Sequence, residues 1–444
     1  MPRPLRSSER RVALLVGDVV TLTVAVVLAL WTWSLTAGFP FNLDFLRARA
    51  IWFASVPLWL LVLIPTRGRS ALDPAESARG LAQAVTVLLL VYLGVFFFAA
   101  GLRLPRLVAL YILWNGTLLV LGWRLIAQWS LTRAPFSRRI LVAGSGRALA
   151  MALDLLRRPE FRDAQIVGTT GASSPIDETA ASMEVTDLVV AMEGDVDDRS
   201  VRQLLACQEQ GIDVVRMTQL YEETLRRVPV AHLESSWLLT NFFDVARFRD
   251  TSPLAKRAFD LLVGGVLAAA GLALLPFIAL AVLADGGAPV FYRQRRLGRG
   301  GRVFQLIKFR SMKPDAEKDG AARWSPVDDP RVTRVGRLLR RTRLDELPNV
   351  LAILRGDMSV VGPRPERPEF VEQLAREVPF YRARLIVRPG LTGWAQVNAP
   401  YGDSVADATV KLEYDLYYVK HQSIWFDAMI VVRTIGTMFR LEGR

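Results

Sequence analysis

Residues 259–284, FDLLVGGVLAAAGLALLPFIALAVLA, decide how this chain is arranged about a membrane. The run holds a single charge, Asp260, and exceeds the ~20 residues that a ~30 Å hydrocarbon core demands. A simple crossing would put all that follows it on the opposite side from all that precedes it. The flanks argue against that: Lys256 and Arg257 precede the run, and Arg293, Arg295 and Arg296 follow it. Basic residues on both sides suit a segment that enters and leaves the same face. Pro276 removes one helical hydrogen bond and clashes with the preceding turn. It is therefore the expected break of a re-entrant helix–break–helix. The alternative is a crossing helix that Pro276 merely kinks.

Upstream lie four more apolar segments, at about 12–36, 50–66, 80–101 and 107–129, each near the length of a span. The first is too long for a cleaved signal peptide, and further spans follow it. Trp31, Trp33, Trp52, Trp59 and Trp129 sit near segment ends, as interfacial anchors do. Arg3, Arg6, Arg10, Arg11, Arg67, Arg69, Arg79, Arg133, Arg138 and Arg139 flank one set of ends. Arg47, Arg49, Arg103 and Arg106 flank the other. Ten against four favours a four-helix transmembrane bundle over 1–132 with both termini in the cytoplasm. Asp18, inside the first span, either faces the bundle interior or lies near a solvated helix end.

Residues 138–230 read as a small Rossmann-like α/β domain. A buried strand, Arg139 to Ala143, leads into the turn Gly144-Ser145-Gly146 and a helix from Ala148 to Leu156. Further strands are expected at 164–168 and 186–191. The third glycine of a dinucleotide fingerprint is replaced by Leu149, and no acid ends the second strand. Nucleotide binding and a purely structural or regulatory role both stay open.

Composition narrows the chemistry. The 444 residues are 51% hydrophobic yet carry a net charge of +13, which suits a membrane protein facing an anionic surface. The basic residues sit beside apolar spans, without zinc-finger spacing or an RNA-binding aromatic signature, so nucleic acid is not the expected partner. Cys207 is the only cysteine, which excludes an internal disulfide, and reads as a small core residue. With only His232 and His421, a Ser-His-Asp scheme or a histidine metal site is nearly excluded. Catalysis would rest on carboxylates, arginines, lysines and a hard cation.

Such groups concentrate in 252–444. In Arg340-Arg341-Thr342-Arg343-Leu344-Asp345-Glu346-Leu347-Pro348-Asn349, two adjacent carboxylates lie beside three cations. Nearby arginines should lower the carboxylate pKa and keep it ionised. Pro348 suits the first turn of a helix over 349–355, so the pair should stand just before a helix N-terminus. An ionised carboxylate beside a phosphate can attack phosphorus to give an acyl phosphate. The bland alternative is a capping pair in a surface salt-bridge cluster. Three further stretches favour the chemical reading: Lys308-Phe309-Arg310-Ser311-Met312 after an alternating strand at 303–307, the turn-rich 356–366 ending in Arg364 between prolines, and 388–398, which opens Arg388-Pro389-Gly390. Rigid turns presenting single arginines suit a diphosphate, which guanidinium binds through two oxygens. Residues 332–344 and 424–439 read as amphipathic helices for the headgroup layer or for a core.

These motifs, in this order and spacing over about 256–440, resemble those of the bacterial polyprenyl-phosphate sugar-1-phosphate transferases, the monotopic phosphoglycosyltransferases. The resemblance implies a membrane protein with a re-entrant helix broken at Pro276 and an α-rich cytosolic catalytic domain. It implies Asp345 as nucleophile and Glu346 as the residue associated with Mg²⁺. It implies Lys308, Arg340, Arg364 and Arg388 as phosphate-binding groups, with Asp415 and Arg310 as further candidates. The implied reaction moves a sugar 1-phosphate, glucose being the expected sugar, from a UDP-sugar to undecaprenyl phosphate through phospho-Asp345, releasing UMP. The expected place is the bacterial inner membrane, at the first membrane step of exopolysaccharide, capsule or O-antigen assembly, as a monomer or a homodimer. Two competing readings are a membrane-bound scaffold that has lost activity and a glycosyltransferase that would release UDP instead.

Overall fold

The computed structural model describes residues 7–63, 74–98, 106–131, 137–171, 174–194, 196–233, 252–313, 329–399, 402 and 404–439. Arg3, Arg6, Arg67, Arg69, Arg103 and Arg133 of the loop-charge argument lie outside them, as do the ends of the expected second and third spans. The chain forms two compact units, Met1–Leu220 and Tyr221–Arg444.

The first unit begins with helices α1 (Ser7–Ala37), α2 (Leu43–Ala48), α3 (Ser55–Leu63), α4 (Pro74–Phe98) and α5 (Arg106–Leu131). Leu22, Val26 and Leu30 of α1 pack with Trp59, Ala84, Val108 and Ile112 in one apolar core. Of these helices, α1 (over Val12–Ala37) and α5 (over Leu107–Leu131) are long and apolar enough to cross a membrane. The second expected span is instead a 3-10 turn, Ala50–Ala54, running into the nine-residue α3 within the described residues. Asp18 faces the bundle interior: it is fully buried and accepts two hydrogen bonds from Arg124 of α5, at 2.7 and 3.2 Å. A carboxylate in an apolar bundle needs such a partner to persist.

Four parallel strands follow: β1 (Arg138–Gly144), β2 (Ala164–Thr170), β3 (Asp187–Ala191) and β4 (Asp213–Arg216), in the order β2-β1-β3-β4. That order matches the start of a flavodoxin-like sheet rather than the 3-2-1-4 order of a dinucleotide fold. Helices α6 (Gly146–Leu156), α7 (Ile176–Ser182) and α8 (Asp198–Glu209) lie between the strands, and α9 (Met217–Leu225) follows β4. Cys207 is buried with Leu141, Leu188 and Ile212, as a core residue. Arg138 is no free loop cation, being buried between Asp163 (2.9 Å) and Asp187 (3.5 Å). At the Gly-Ser-Gly turn, a Cβ on Gly144 would stand 1.9 Å from the Ala191 carbonyl, so glycine is required for β1 and β3 to meet there. The free N–H groups opening α6 are satisfied from within: Glu193 accepts from Arg147 N (2.9 Å) and Ala148 N (3.1 Å). The place a phosphate would take on such a turn holds the chain's own carboxylate.

The second unit is organised on α10 (Pro253–Gly286), 34 residues and ~51 Å long at 1.5 Å per residue. Pro253 opens it, where a missing N–H costs nothing, and Gly287 ends it with φ 71°. The expected break is corrected here. The helix runs uninterrupted through Pro276, because the proline forfeits one bond and the turns on either side keep theirs. One stripe is packed: Lys256, Asp260, Gly264, Ile278 and Val282 are buried, while Leu262, Val266, Leu272, Phe277 and Leu280 are exposed. Both ends are tied to the same unit. Arg257 donates to the carbonyls of Ile353 and Leu354, and Asp285 accepts from Val335 N at 2.7 Å.

Along α10 pack the antiparallel pair β5 (Phe291–Leu297) and β6 (Val303–Phe309), then α11 (Arg334–Arg341), a 3-10 helix (Leu344–Asn349) and α12 (Val350–Arg355). The parallel pair β7 (Ser359–Val361) and β8 (Gly390–Thr392) comes next in the core. Helices α13 (Pro368–Glu377), α14 (Trp394–Asn398), α15 (Val405–Lys420) and α16 (Ile424–Phe439) complete the unit. Its core joins Ile353, Val361, Trp394, Tyr418 and Ile430. Each such side chain contributes roughly 1.5–3 kcal/mol on burial.

Candidate active site

The carboxylate pair is carried inside the 3-10 helix Leu344–Asn349, directly ahead of α12, the helix expected there. Three local features hold it. Gly336 lets α11 lie on the Ser311 backbone, where a Cβ would stand 2.1 Å from the carbonyl. Arg343 adopts a left-handed conformation (φ 55°, ψ 17°), which turns the chain from α11 into the 3-10 helix. Asn349, buried at the far end, accepts from Ile307 N at 3.1 Å and hooks that helix to β6. The neighbouring Lys308 of β6 then reaches Glu346, with Nζ 2.7 Å from Oε1.

Arg364 approaches the same Oε1, also at 2.7 Å. Its segment is rigid because Gly362, Gly390 and Gly393 let two backbones touch. A Cβ on Gly390 would stand 2.1 Å from Gly362 N, and one on Gly393 2.2 Å from Gly362 O. Two arginines brace the segment from behind: Arg384 donates to the Arg364 carbonyl (3.1 Å) and Arg296 to the Pro365 carbonyl (3.0 Å). A small cleft beside the pair is lined by Lys308, Glu346, Asn349, Arg364 and Leu391.

The two acids are driven apart electrostatically. Burial pushes the Asp345 carboxyl up to about 6, against the pull of Lys308, Arg364 and Arg340 and with help from the adjacent Glu346. The expected depression of this pKa is thus reversed, because desolvation outweighs the cations. Burial acts on Glu346 as well, but Arg364 and Lys308 overcome it and hold that carboxylate well below its usual range. Asp345 is 8% exposed and makes no hydrogen bond or ion pair among the described residues. A fixed anion with two cations therefore adjoins a weakly solvated carboxylate that ionises near neutrality.

The other expected residues divide. Arg340 is half-buried and its charge acts on Asp345. Arg388 is half-buried, and neither of the two has an ion-pair partner among the described residues. Arg310 donates to the carbonyls of Gly286, Gly287 and Ala288, and so caps the end of α10. Asp415 is buried against Arg384 at 2.8 Å and acts through that arginine on the Arg364 backbone. Sequence reading did not single out Arg296, Arg343, Asn349 or Arg384. For Arg343 a signal existed, a cation two residues before the nucleophile candidate. The other three act through tertiary contacts.

Among the described residues no three acidic, histidine or cysteine side chains converge as a metal cage. The donor set fits a hard ion of another kind. Mg²⁺ commonly takes one or two carboxylates and completes its shell with phosphate oxygens and water. Asp345 and Glu346 can supply that share, although Glu346 Oε1 is already engaged by two cations.

The bacterial sugar transferase family profile matches residues 251–441, which include every residue of this site. A UDP-N-acetylgalactosamine-undecaprenyl-phosphate N-acetylgalactosaminephosphotransferase of Aeromonas hydrophila is 39% identical over 240 residues, 53% of this chain and 55% of that protein. The match thus spans about half the length of that relative. A UDP-glucose:undecaprenyl-phosphate glucose-1-phosphate transferase of Escherichia coli (strain K12) is 32% identical over 336 residues, 70% of each chain. One of the same description from Caulobacter vibrioides is 40% identical over 192 residues, 43% of this chain and 72% of that one. With 70% of the Escherichia coli relative covered, and the buried acid pair and its cations inside the matched region, the chain is a membrane protein that belongs to the bacterial sugar transferase family.

Proposed function

We propose that this protein transfers a sugar 1-phosphate from a UDP-sugar to undecaprenyl phosphate, with Asp345 as the covalent nucleophile. The observation that carries the reading is the split pair: Asp345 unpartnered and weakly solvated, Glu346 held by Lys308 and Arg364. A carboxylate oxygen of Asp345 attacks the sugar-bearing phosphorus. The Asp345 O–P bond forms as the P–O bond to the nucleotide breaks, and its electron pair leaves on UMP. In the second half-reaction an oxygen of the lipid phosphate attacks the phospho-aspartate, and Asp345 departs as a carboxylate. Neither step needs a proton carrier, which suits a site without histidine. Lys308, Arg340, Arg364 and Arg388 bind and orient phosphate oxygens, mostly by positioning and charge neutralisation. Mg²⁺, held by Glu346 with Asp345 alongside, would neutralise phosphate charge when bound.

Glucose is the sugar we favour, since the Escherichia coli relative, matched over 70% of this chain, is described as a glucose-1-phosphate transferase. The Aeromonas hydrophila relative makes N-acetylgalactosamine the principal rival. The proposed setting is the cytosolic face of the inner membrane, where UDP-sugars are made, at the first membrane step of a surface polysaccharide. The purified chain with UDP-glucose, undecaprenyl phosphate and Mg²⁺ is expected to release UMP in equal amount to lipid-linked glucose. Release of UDP would replace this reading with direct glycosyl transfer, and UDP-N-acetylgalactosamine as the better donor would change only the sugar.

A further inference from the structure

Arg343 combines a strained backbone with an uncompensated charge. Its φ of 55° places it in the left-handed region, where glycine or asparagine is at ease and an arginine is not. The strain is not relieved by fraying, because Arg343 N donates to the Arg340 carbonyl and the Arg343 carbonyl accepts from Glu346 N. The side chain is half-buried and has no hydrogen bond or ion pair among the described residues. Its guanidinium lies within the fields of Arg364, Glu346 and Asp345. Removing a cation from water without a counter-charge is unfavourable, so this place is incomplete by itself.

Counting charge around the pair gives the same result. Lys308 and Arg364 both pair with Glu346, while Arg340, whose charge acts on Asp345, and Arg343, which feels Arg364, Glu346 and Asp345, have no ion partner among the described residues. The positive charges about the pair thus outnumber the negative ones, before Arg388 and any bound Mg²⁺ are added. The diphosphate of a nucleotide sugar carries two negative ones. We propose that Arg343 is a donor-binding residue, whose guanidinium binds the diphosphate of the nucleoside diphosphate sugar and is paired only when that donor is present. This rests on the reading of Asp345 as the nucleophile at the same site. It adds a residue to the phosphate-binding set and ties the strained turn to substrate.

Arg343→Asn separates charge from backbone, since asparagine tolerates the left-handed conformation and is neutral. In the purified full-length chain, UDP affinity measured calorimetrically is expected to fall tenfold or more. The KM for the UDP-sugar should rise by a similar factor, while the KM for the lipid phosphate and the melting temperature hold. Arg343→Lys should lie between. Should Arg343→Asn melt early, Arg343→Gly, which takes the same conformation freely, gives the same test. Unchanged UDP affinity in a well-folded Arg343→Asn or Arg343→Gly overturns the inference while leaving the nucleophile assignment standing. A wild-type chain that binds no UDP and turns over no UDP-sugar overturns both.

Discussion

A carboxylate that attacks phosphorus must be ionised and yet poorly solvated, and Asp345 lies at that balance. Burial lifts its pKa to about 6, so it is largely charged at neutral pH but loses its charge in mild acid. kcat/KM should therefore fall as pH drops through about 6, provided Asp345 is the group whose ionised form reacts. A rate that stays flat down to pH 5 would remove it from that role. Folding responds with the opposite sign. Because folding raises this pKa, it favours the neutral acid, and stability is lost as pH rises from about 4 towards 6. Asp345→Asn should then stabilise the protein at pH 8 by on the order of 1–3 kcal/mol, a gain absent at pH 4. Thermal melts of the two proteins at both pH values would show it.

At the scale of elements, the base of α10 is secured by a buried polar knot. Lys256 stands 3.1 Å from Asp260 and 2.6 Å from Asp427 of α16. Tyr418 lies 2.8 Å from Asp427 Oδ1 and 2.9 Å from the Val361 carbonyl, and also accepts from Gln422. A phenol has one proton for those two acceptors. If it goes to Val361, Asp427 must bring its own, and burial does raise the Asp427 pKa, with Lys256 opposing. Asp427→Asn, which mimics a protonated acid, should cost less than about 1 kcal/mol. Asp260→Ala leaves Lys256 buried without its charged partner and should cost about 3–5 kcal/mol. Equal losses in chemical denaturation would mean that both acids are charged.

Elements also show what could be read in advance. Strands β1 and β3 were legible because a buried parallel strand is an apolar run between turns. Strands β4 and β5 were not: Asp213–Arg216 is two valines between charges, and Phe291–Leu297 is more than half arginine or glutamine. Strand β5 exists because β6 pairs with it residue by residue, not because its own pattern demands a strand. Pro276 was overread for the complementary reason. A proline is a strong local signal, yet a long helix packed against Leu339, Phe309 and Leu347 carries it. The acid pair was legible because it is contiguous with Arg340, Arg341 and Arg343, whereas Lys308, Arg364 and Arg388 were legible only through the resemblance of their separate motifs. The desolvation of Asp345 and the pairing of Asp415 with Arg384 were not, because both arise from residues far apart in the chain.

Across the molecule, three helices among the described residues are long and apolar enough to cross a membrane, and the last, α10, has both ends bound to its own unit. The proposed topology, drawn from the loop charges, has both ends of the amino-terminal bundle and the second unit on the cytosolic side. In a Cys207→Ser background, Ser8→Cys, Ser137→Cys and Arg299→Cys should resist an impermeant maleimide in intact cells and react once the membrane is opened. Asp44→Cys should react in both. Labelling of Arg299→Cys from outside would mean that α10 crosses.

The account turns on a bond between Asp345 and phosphorus. Incubating the purified protein with UDP-glucose labelled in its β-phosphate, without lipid acceptor, should leave label on the peptide containing residue 345. The label should be released by hydroxylamine or by undecaprenyl phosphate, and be absent in Asp345→Asn. Full turnover with no labelled protein, or label that persists in Asp345→Asn, would contradict it.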